Sequence, residues 1–234
     1  MASVSEKTFG SRLLNAEKIL THLTAFTGYN PSTDEQSISN YETLIATIKV
    51  QNNEAASKIQ AYSAAVDIRQ KLFQKNSDSL NKIMTPIGAA IRSAFGKTSK
   101  EAADIASLVT KVRGISIKKD SKEPNADTVS QSERSYGSMT QTFADMIATL
   151  ENYGASYNPA NDIVKLPQLK DKLITLTSAN TAVTVAYGAL KEKRDDRSDL
   201  YKQLTDITQR IKDAVKSQYG NTSTEYVLIK GLKV

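Results

Sequence analysis

An unbroken seven-residue hydrophobic pattern constrains this chain more than any other feature. Across residues 169–218, positions held mostly by Leu, Ile, Val or Tyr advance by alternating steps of four and three, and a similar pattern covers residues 41–87. A repeat of this length predicts helices of about 50 residues, about 75 Å long, in a coiled-coil-like bundle. The alternative is a pair of ordinary helices with an unmarked turn near Ala64 or Gly188.

The second half of the chain repeats landmarks of the first half in the same order. The counterparts are Phe9-Gly10-Ser11 and Tyr136-Gly137-Ser138, Tyr29-Asn30-Pro31 and Tyr157-Asn158-Pro159, Asn52 and Asn180, Arg69-x-x-Leu72-Phe73 and Arg197-x-x-Leu200-Tyr201, and Phe95-Gly96 and Tyr219-Gly220. Such an ordered series indicates a tandem duplication. The spacing between counterparts drops from 127 or 128 residues to 124 near the end of the long segment, so the copies differ there by about one helical turn.

A polar segment separates the two halves. Residues 118–134 contain Pro and show no hydrophobic period, a composition that is typical of a linker. We therefore expect helical repeat 1 at residues 1–117, a linker at 118–134 and helical repeat 2 at 135–234. The predicted fold is all-α, an elongated antiparallel helical bundle with coiled-coil-like long helices, built from two tandem similar halves.

Local signals predict where the helices begin and end. The first helix carries one apolar stripe, made of Phe9, Leu13, Ala16, Leu20 and Leu23. Pro167 suits the first turn of the second long helix. Three capping boxes should open helices: Ser32-x-x-Glu35, Thr98-x-x-Glu101 and Thr222-x-x-Glu225.

Polar residues occupy matching positions of the hydrophobic pattern in both halves. These polar seam residues are Asn52 with Asn180 and Arg69 with Arg197. Inside a bundle, such residues fix the register or the oligomeric state more often than they bind a ligand. Nearby carboxylates are the expected ion-pair partners of the two arginines: Asp67, Asp78, Asp195, Asp196 and Asp199.

The composition disfavours most enzyme chemistry. Because the chain has no Cys and a single His, His22, it lacks thiolate ligands, Cys nucleophiles and paired His ligands. No phosphate-binding or dinucleotide-binding glycine motif is present. We expect a protein that is not an enzyme, with no catalytic residues, no metal and no cofactor.

The net charge of +6 permits binding to nucleic acid or another anionic polymer. Basic and acidic residues are nevertheless mixed along the whole chain, and polyanion binding requires clustered Lys and Arg. A solvated surface of mixed charge is the favoured interpretation, and nucleic-acid binding is the competing one.

The most apolar stretch lies at residues 83–95, whereas its counterpart at 210–216 is charged and amphipathic. Packing inside the bundle explains this stretch, a partner or subunit interface is a second explanation, and membrane insertion is a third. Membrane insertion is disfavoured because the stretch is short for spanning a bilayer. The candidate interface residues are Ile83, Met84, Pro86, Ile87, Ile91 and Phe95.

The segments 95–101 and 219–225 share an aromatic-Gly-x-x-Ser-x-Glu motif. In this motif, which covers about a tenth of the chain, the sequence resembles a loose group of uncharacterised bacterial helical proteins that end a long helix in this way. The resemblance implies an all-α bacterial protein and transfers no activity, cofactor or catalytic residue.

These observations favour a non-enzymatic structural or protein-interaction module that binds a protein partner or a second copy of itself. Two alternatives stay open: a basic protein that binds nucleic acid or an anionic polymer, and a membrane-active helical protein of the pore-forming type. No small-molecule substrate is inferred. Since no leader of the secretory type is recognisable, we expect a cytoplasmic location, with leaderless export as the alternative.

Overall fold

The computed structural model describes residues 8–113 and 131–234, and this part of the chain is all-α, without a β-strand. The helices are α1 (Phe9–Ala25), α2 (Ile38–Gln70), α3 (Leu80–Phe95), α4 (Lys100–Arg113), α5 (Gln131–Asn152), α6 (Leu166–Tyr219) and α7 (Thr224–Lys230). Short 3-10 turns occupy Asp34–Gln36, Gly154–Ser156 and Asp162–Val164. The predicted fold class is therefore confirmed at the level of an all-α protein.

The second long helix forms as its pattern predicts. Helix α6 has 54 residues and runs without interruption through Gly188, with Pro167 in its first turn. The alternative of a turn near Gly188 is therefore wrong. Proline fits this position because the first turn of a helix needs no N–H donor from it.

The first long segment is broken, so the prediction of one helix across residues 41–87 is wrong. Helix α2 passes through Ala64 and ends in a π-helical turn at Lys71–Lys75. Residues 76–79, Asn-Ser-Asp-Ser, are not helical, and α3 begins at Leu80. Short polar side chains of this kind compete for the backbone hydrogen bonds of a helix, although they leave the hydrophobic pattern intact.

The capping boxes lie one residue or more from the observed caps. Ser99 Oγ accepts a hydrogen bond from the Ala102 N–H at 3.0 Å, and Ser223 Oγ accepts one from the Tyr226 N–H at 3.1 Å. The caps are thus these serines, and the predicted caps Thr98 and Thr222 are wrong. The box at Ser32 also fails, because α2 begins later, after Ser37.

The described chain forms two compact units, and each unit combines segments from both halves of the sequence. Unit 1 contains the chain up to Gln60 together with Gly188–Val234, and unit 2 contains Ala61–Tyr187. The unit 1 core is formed by Ala16, Ile19, Leu23, Tyr41, Ile45, Ile48, Tyr201, Leu204, Ile207, Ile211, Val215 and Ile229. The unit 2 core includes Phe73, Leu80, Ile83, Met84, Ile87, Ile91, Ile105, Phe143, Met146, Leu150, Leu169 and Leu176.

The predicted linker at 118–134 lies mostly outside the described residues. Its last four residues, 131–134, belong to the first turn of α5. The repeat boundaries at residues 117 and 135 remain predictions.

Candidate interaction sites

In unit 1, the polar seam residue Arg197 lies against an aromatic ring. Its guanidinium carbon is 4.4 Å from the centre of the Phe9 ring, which in turn packs at 4.5 Å against the ring of Tyr201. The Tyr201 hydroxyl donates a hydrogen bond to the Phe9 carbonyl and accepts one from Asn52 Nδ2. Arg12 covers the Tyr201 ring at 4.8 Å and donates to the Tyr201 carbonyl. The seam residues of unit 1 thus hold the first turn of α1 against α6.

Unit 2 contains the same kind of contact. The guanidinium carbon of Arg69 is 4.4 Å from the centre of the Tyr136 ring, and that ring packs edge to face against Phe73 at 4.7 Å. Asn180 differs from Asn52 in its partner, because its Nδ2 donates to Thr140 Oγ1 at 3.1 Å. Arg69 is only 4% exposed, so its charge lies inside the unit and rests on a ring face.

Carboxylates do not neutralise these arginines in the part of the chain that the structure describes, so the predicted ion pairs are wrong. The nearby aspartates pair instead with lysines: Asp67 with Lys71, Asp78 with Lys172, Asp196 with Lys193, and Asp199 with Lys202. Hydrogen bonding to Lys71 holds the pKa of Asp67 below its ordinary value, and hydrogen bonding to Lys172 does the same for Asp78. A cation stacked on an aromatic ring is a structural contact and supplies no acid, base or nucleophile.

The candidate interface residues lie in and beside the core of unit 2. Ile83, Met84, Ile87 and Ile91 are at most 3% exposed, so packing inside the unit accounts for them. Phe95 is half-buried and packs against the Tyr153 ring at 5.1 Å. The remaining candidate, Pro86, lines a cleft between α3 and the loop that follows α5.

A different surface of unit 2 exposes apolar side chains. Ile174 and Val185 of α6 are each 65% exposed, and no charged residue occurs across residues 173–190. We define the α6 face by exposed residues between these two points: Ile174, Thr177, Ser178, Thr181, Thr184 and Val185. The uncharged run is visible in the sequence, but the α6 face is not, because threonines alternate with its apolar residues.

The threonines of the α6 face turn their hydroxyl groups back onto their own helix. Thr177 donates to the Leu173 carbonyl at 2.9 Å, Thr181 to the Thr177 carbonyl at 3.2 Å, and Thr184 to the Asn180 carbonyl at 3.3 Å. Each hydroxyl thus has an acceptor within the helix. The face therefore offers methyl groups and few polar groups, even though half of its residues are threonine.

Helix α6 also has the length and composition of a membrane-spanning helix. An 18-residue window within it is apolar enough to cross a bilayer, and 22% of that window is buried. Core helices of globular proteins meet the same criterion, so the observation is compatible with a protein interface as well as with a membrane.

Seven of the 19 lysines in the described residues have a carboxylate partner within the same unit. In unit 1, Lys49 lies 2.6 Å from Glu17 and Lys193 lies 2.9 Å from Glu54. In unit 2, Lys170 lies 2.5 Å from Glu151. Paired charges of this kind fit a solvated mixed surface, and binding to nucleic acid stays a prediction.

A cleft of about 630 Å³ lies in unit 2, between α3 and the loop that follows α5. The helix side is formed by Pro86, Ala89, Ala90, Ser93 and Ala94, and the loop side by residues 156–161 with Val164. The Tyr157 hydroxyl donates to the Val164 carbonyl at 2.6 Å, which closes the loop. Burial raises the pKa of Tyr157 to about 12, so this hydroxyl stays protonated near neutral pH.

No group of three or more His, Asp or Glu side chains suited to a metal ion occurs within the described residues. The sequence matches no protein-family model, and comparisons with the curated proteins and with the solved structures found no significant match.

Proposed function

We propose that this protein is a non-enzymatic structural and interaction module that pairs with a second copy of itself through the α6 face. The observation that carries this proposal is the set of internally bonded threonines between two widely exposed apolar residues, Ile174 and Val185. Such a face forms few hydrogen bonds with water, so few are lost when it is buried. Burial of the methyl groups of the face is favourable by about 25 cal/mol per Å².

The absence of charged residues from the α6 face is compatible with a second copy as the partner. The chain carries +6 overall, so two copies repel each other across most surfaces. The α6 face has no charged residue, and this repulsion is weakest there. A two-fold axis would bring the same face of each copy together, which is the commonest arrangement in homodimers.

The test is the mass of the protein in solution as a function of concentration, measured by light scattering during size-exclusion chromatography. We expect a species heavier than the 25.6 kDa monomer, which Val185→Lys reduces to the monomer. Val50→Lys is the matched control, because Val50 is 57% exposed on α2 of unit 1 and lies outside the α6 face. A wild-type protein that stays monomeric at all concentrations, or a dimer that Val185→Lys leaves intact, would contradict the proposal.

A membrane-active role is the second candidate, since the α6 window satisfies the composition of a spanning helix. Sedimentation with vesicles of neutral and of anionic lipid separates the two functions. Binding to vesicles that Val185→Lys abolishes would favour the membrane, and a soluble dimer that ignores vesicles would favour self-association.

We further propose that the module arose by duplication of one helical unit. The two arginine-ring contacts support this, because each counterpart arginine meets a counterpart ring at the same distance of 4.4 Å. The loops agree as well: the Tyr29 hydroxyl donates to the Gln36 carbonyl seven residues on, as that of Tyr157 does to Val164.

The buried positions support the same duplication. From Tyr201 to the end of α6, the buried residues are Tyr201, Leu204, Ile207, Thr208, Ile211, Lys212 and Val215. Their counterparts, also buried, are Phe73, Leu80, Ile83, Met84, Ile87, Gly88 and Ile91. Phe73 and Tyr201 are 128 residues apart, whereas Leu80 and Leu204 and all later pairs are 124 residues apart. The four non-helical residues 76–79 account for the difference.

An antiparallel arrangement of α2 and α6 within unit 1 belongs to the same proposal. Its support is the order of the contacts: the Tyr41 hydroxyl lies 2.7 Å from Thr208 Oγ1, whereas Gln51, further along α2, donates to Asp196, which precedes Thr208 on α6. Contacts in this order are those expected of two helices that run in opposite directions.

A further inference from the structure

In unit 1, a glutamine side chain from α6 fastens the loop that follows α1. Gln218 Nε2 donates to the Gly28 carbonyl at 2.5 Å, and Gln218 Oε1 accepts a hydrogen bond from the Asn30 N–H at 3.0 Å. Arg210, two turns earlier, donates to Glu35 and Thr33 in the same loop. One carboxamide thus satisfies both a donor and an acceptor of the loop backbone.

In unit 2, the corresponding loop lacks this fastening. At the 124-residue spacing, Ala94 stands where unit 1 has Gln218, Pro86 stands for Arg210, and Ala89 stands for Asp213. At all three positions, unit 1 has a long or charged side chain and unit 2 has a small or cyclic one. The three unit 2 residues line the 630 Å³ cleft. The cleft therefore lies at the positions from which Gln218 and Arg210 reach the loop in unit 1.

The loop side of the cleft carries backbone groups at the sequence positions that Gln218 contacts in unit 1. Asn158 is the counterpart of Asn30, and Ser156 precedes Tyr157 as Gly28 precedes Tyr29. The backbone differs at the second position, because Gly28 has a φ of +76°, whereas Ser156 ends the 3-10 turn Gly154–Ser156. Among the described residues, neither the Asn158 N–H nor the Ser156 carbonyl has a hydrogen-bond partner. Both groups belong to residues that line the cleft.

We propose that this cleft binds a polypeptide segment through a glutamine side chain, which takes the place that Gln218 fills in unit 1. The ligand carbonyl accepts from the Asn158 N–H, and the ligand NH₂ group donates to the Ser156 carbonyl. The methyl groups of Ala90 and Ala94 and the ring of Pro86 pack against the aliphatic part of the ligand. The proposal rests on the proposed duplication, which equates the two loops, and it does not depend on self-association.

The chemistry of the cleft selects a carboxamide over a carboxylate. A carboxylate has no hydrogen to donate to the Ser156 carbonyl, and no charged side chain lines the cleft to compensate an anion. Leaving a carbonyl unpaired beside a charged oxygen is costly, so we expect glutamate to bind about tenfold or more weakly than glutamine. A volume of 630 Å³ is in the range of ligand sites and leaves room for the residues that flank the glutamine.

The test is a titration of the 234-residue chain with the blocked tripeptide acetyl-Ala-Gln-Ala-amide, followed by backbone amide NMR. We expect the largest saturable shift at the Asn158 amide. The affinity for acetyl-Ala-Glu-Ala-amide should be lower by a factor of about ten or more. Ala94→Gln should place the protein's own carboxamide in the cleft and abolish the response. Ser93→Gln is the matched control, because Ser93 also lines the cleft and its counterpart Ser217 does not fasten the loop in unit 1.

A second variant checks the comparison between the two loops. Gln218→Ala should free the Asn30 N–H and the Gly28 carbonyl, and a second saturable response should appear at the Asn30 amide. Equal binding of the glutamine and glutamate peptides, an unchanged response in Ala94→Gln, or no saturable shift at Asn158 would each overturn the inference. A different result separates the two proposals. If Ala94→Gln and Gln218→Ala each shift the resonances of their own loop but no peptide binds, the duplication is supported and the ligand site is rejected.

Discussion

The guanidinium carbon of Arg69 lies 4.4 Å from the centre of the Tyr136 ring, inside a unit where Arg69 is only 4% exposed. Arg197 and Phe9 reproduce the distance in unit 1. Among the described residues, the Nε atom of each arginine is buried without a hydrogen-bond partner. The ring face is therefore the main favourable contact of the desolvated guanidinium group. Most of the contribution of the arginine side chain to folding stability comes from its packing.

Replacing Arg69 should show that volume matters more than charge at this position. We expect Arg69→Ala to lower the free energy of unfolding by about 2–4 kcal/mol, because it leaves a cavity beside Tyr136. Arg69→Met fills the same space without a buried charge and should cost less than about 1.5 kcal/mol. Urea unfolding followed by circular dichroism measures both, and Arg194→Ala on the exposed side of α6 is the control. Equal losses for Arg69→Met and Arg69→Ala would show that the charge itself is required.

Two buried tyrosines should make the fold sensitive to alkali. Burial raises the pKa of Tyr41 to about 12, partly offset by its hydrogen bond to Thr208, and burial raises the pKa of Tyr157 to about 12. The ordinary value of 10 applies in the unfolded chain, so the neutral hydroxyls stabilise the folded state fully below pH 10. This contribution is lost as the pH rises from about 10 through 12.

The measurement is a paired titration of tyrosinate absorbance and helical circular dichroism. We expect wild type to lose helix in this alkaline range, and the double variant Tyr41→Phe with Tyr157→Phe to lose it at a higher pH. Phenylalanine cannot ionise, although it leaves the Val164 carbonyl without its donor. Full tyrosine ionisation near pH 10 with an intact helical signal would contradict the prediction.

The sequence was sufficient for the elements whose local signals agree. Helix α6 could be predicted because its hydrophobic period never slips and Pro167 stands at its start. The break after α2 was visible only as a difference of about one turn between the copies, since Asn76 to Ser79 alter the backbone and leave the hydrophobic period unchanged. The caps were misplaced by one residue because Thr98 and Ser99 both carry a hydroxyl, and only the backbone angles decide which one reaches the helix.

The site could be predicted only in part. The matching of Arg69 with Arg197 and of Phe9 with Tyr136 was readable, but the sequence does not say which arginine meets which ring. The structure pairs Arg69 of the first half with Tyr136 of the second, a choice that depends on tertiary packing. The threonine contacts of the α6 face were equally hidden, because a rotamer decides whether a hydroxyl faces water or its own helix.

Removing the fastening of the unit 1 loop should loosen it locally. Gln218→Ala eliminates two hydrogen bonds to the loop, and we expect faster amide exchange at Asn30 with a loss of about 1 kcal/mol or less in global stability. Gln209→Ala is the control, because Gln209 bonds to Asp213 within α6 and contributes no bond to the loop. Unchanged exchange at Asn30 would show that Arg210 and the Tyr219 hydroxyl suffice to hold the loop.

Deleting residues 76–79 should give a chain that folds, because it restores in the first half the spacing that α6 already uses. After the deletion, Leu80 follows Phe73 by three residues, as Leu204 follows Tyr201, and every later buried position of α3 moves into the same register. The Asp78 to Lys172 ion pair is lost, and because the Lys172 side chain is only 13% exposed, we expect this loss to offset part of the gain from the restored register. We expect α2 and α3 to join, with a rise in helical circular dichroism.

Deletion of only 78–79 is the matched control for that variant. It would leave the apolar positions of α3 two residues out of step with Phe73, a rotation of about 200° around a continuous helix. We therefore expect this shorter deletion to be the more destabilising of the two in urea unfolding, although it removes less of the chain. If the longer deletion unfolds the protein while the shorter one is tolerated, residues 76–79 are not the extra turn of one copy, and the proposed correspondence between α3 and the end of α6 is wrong.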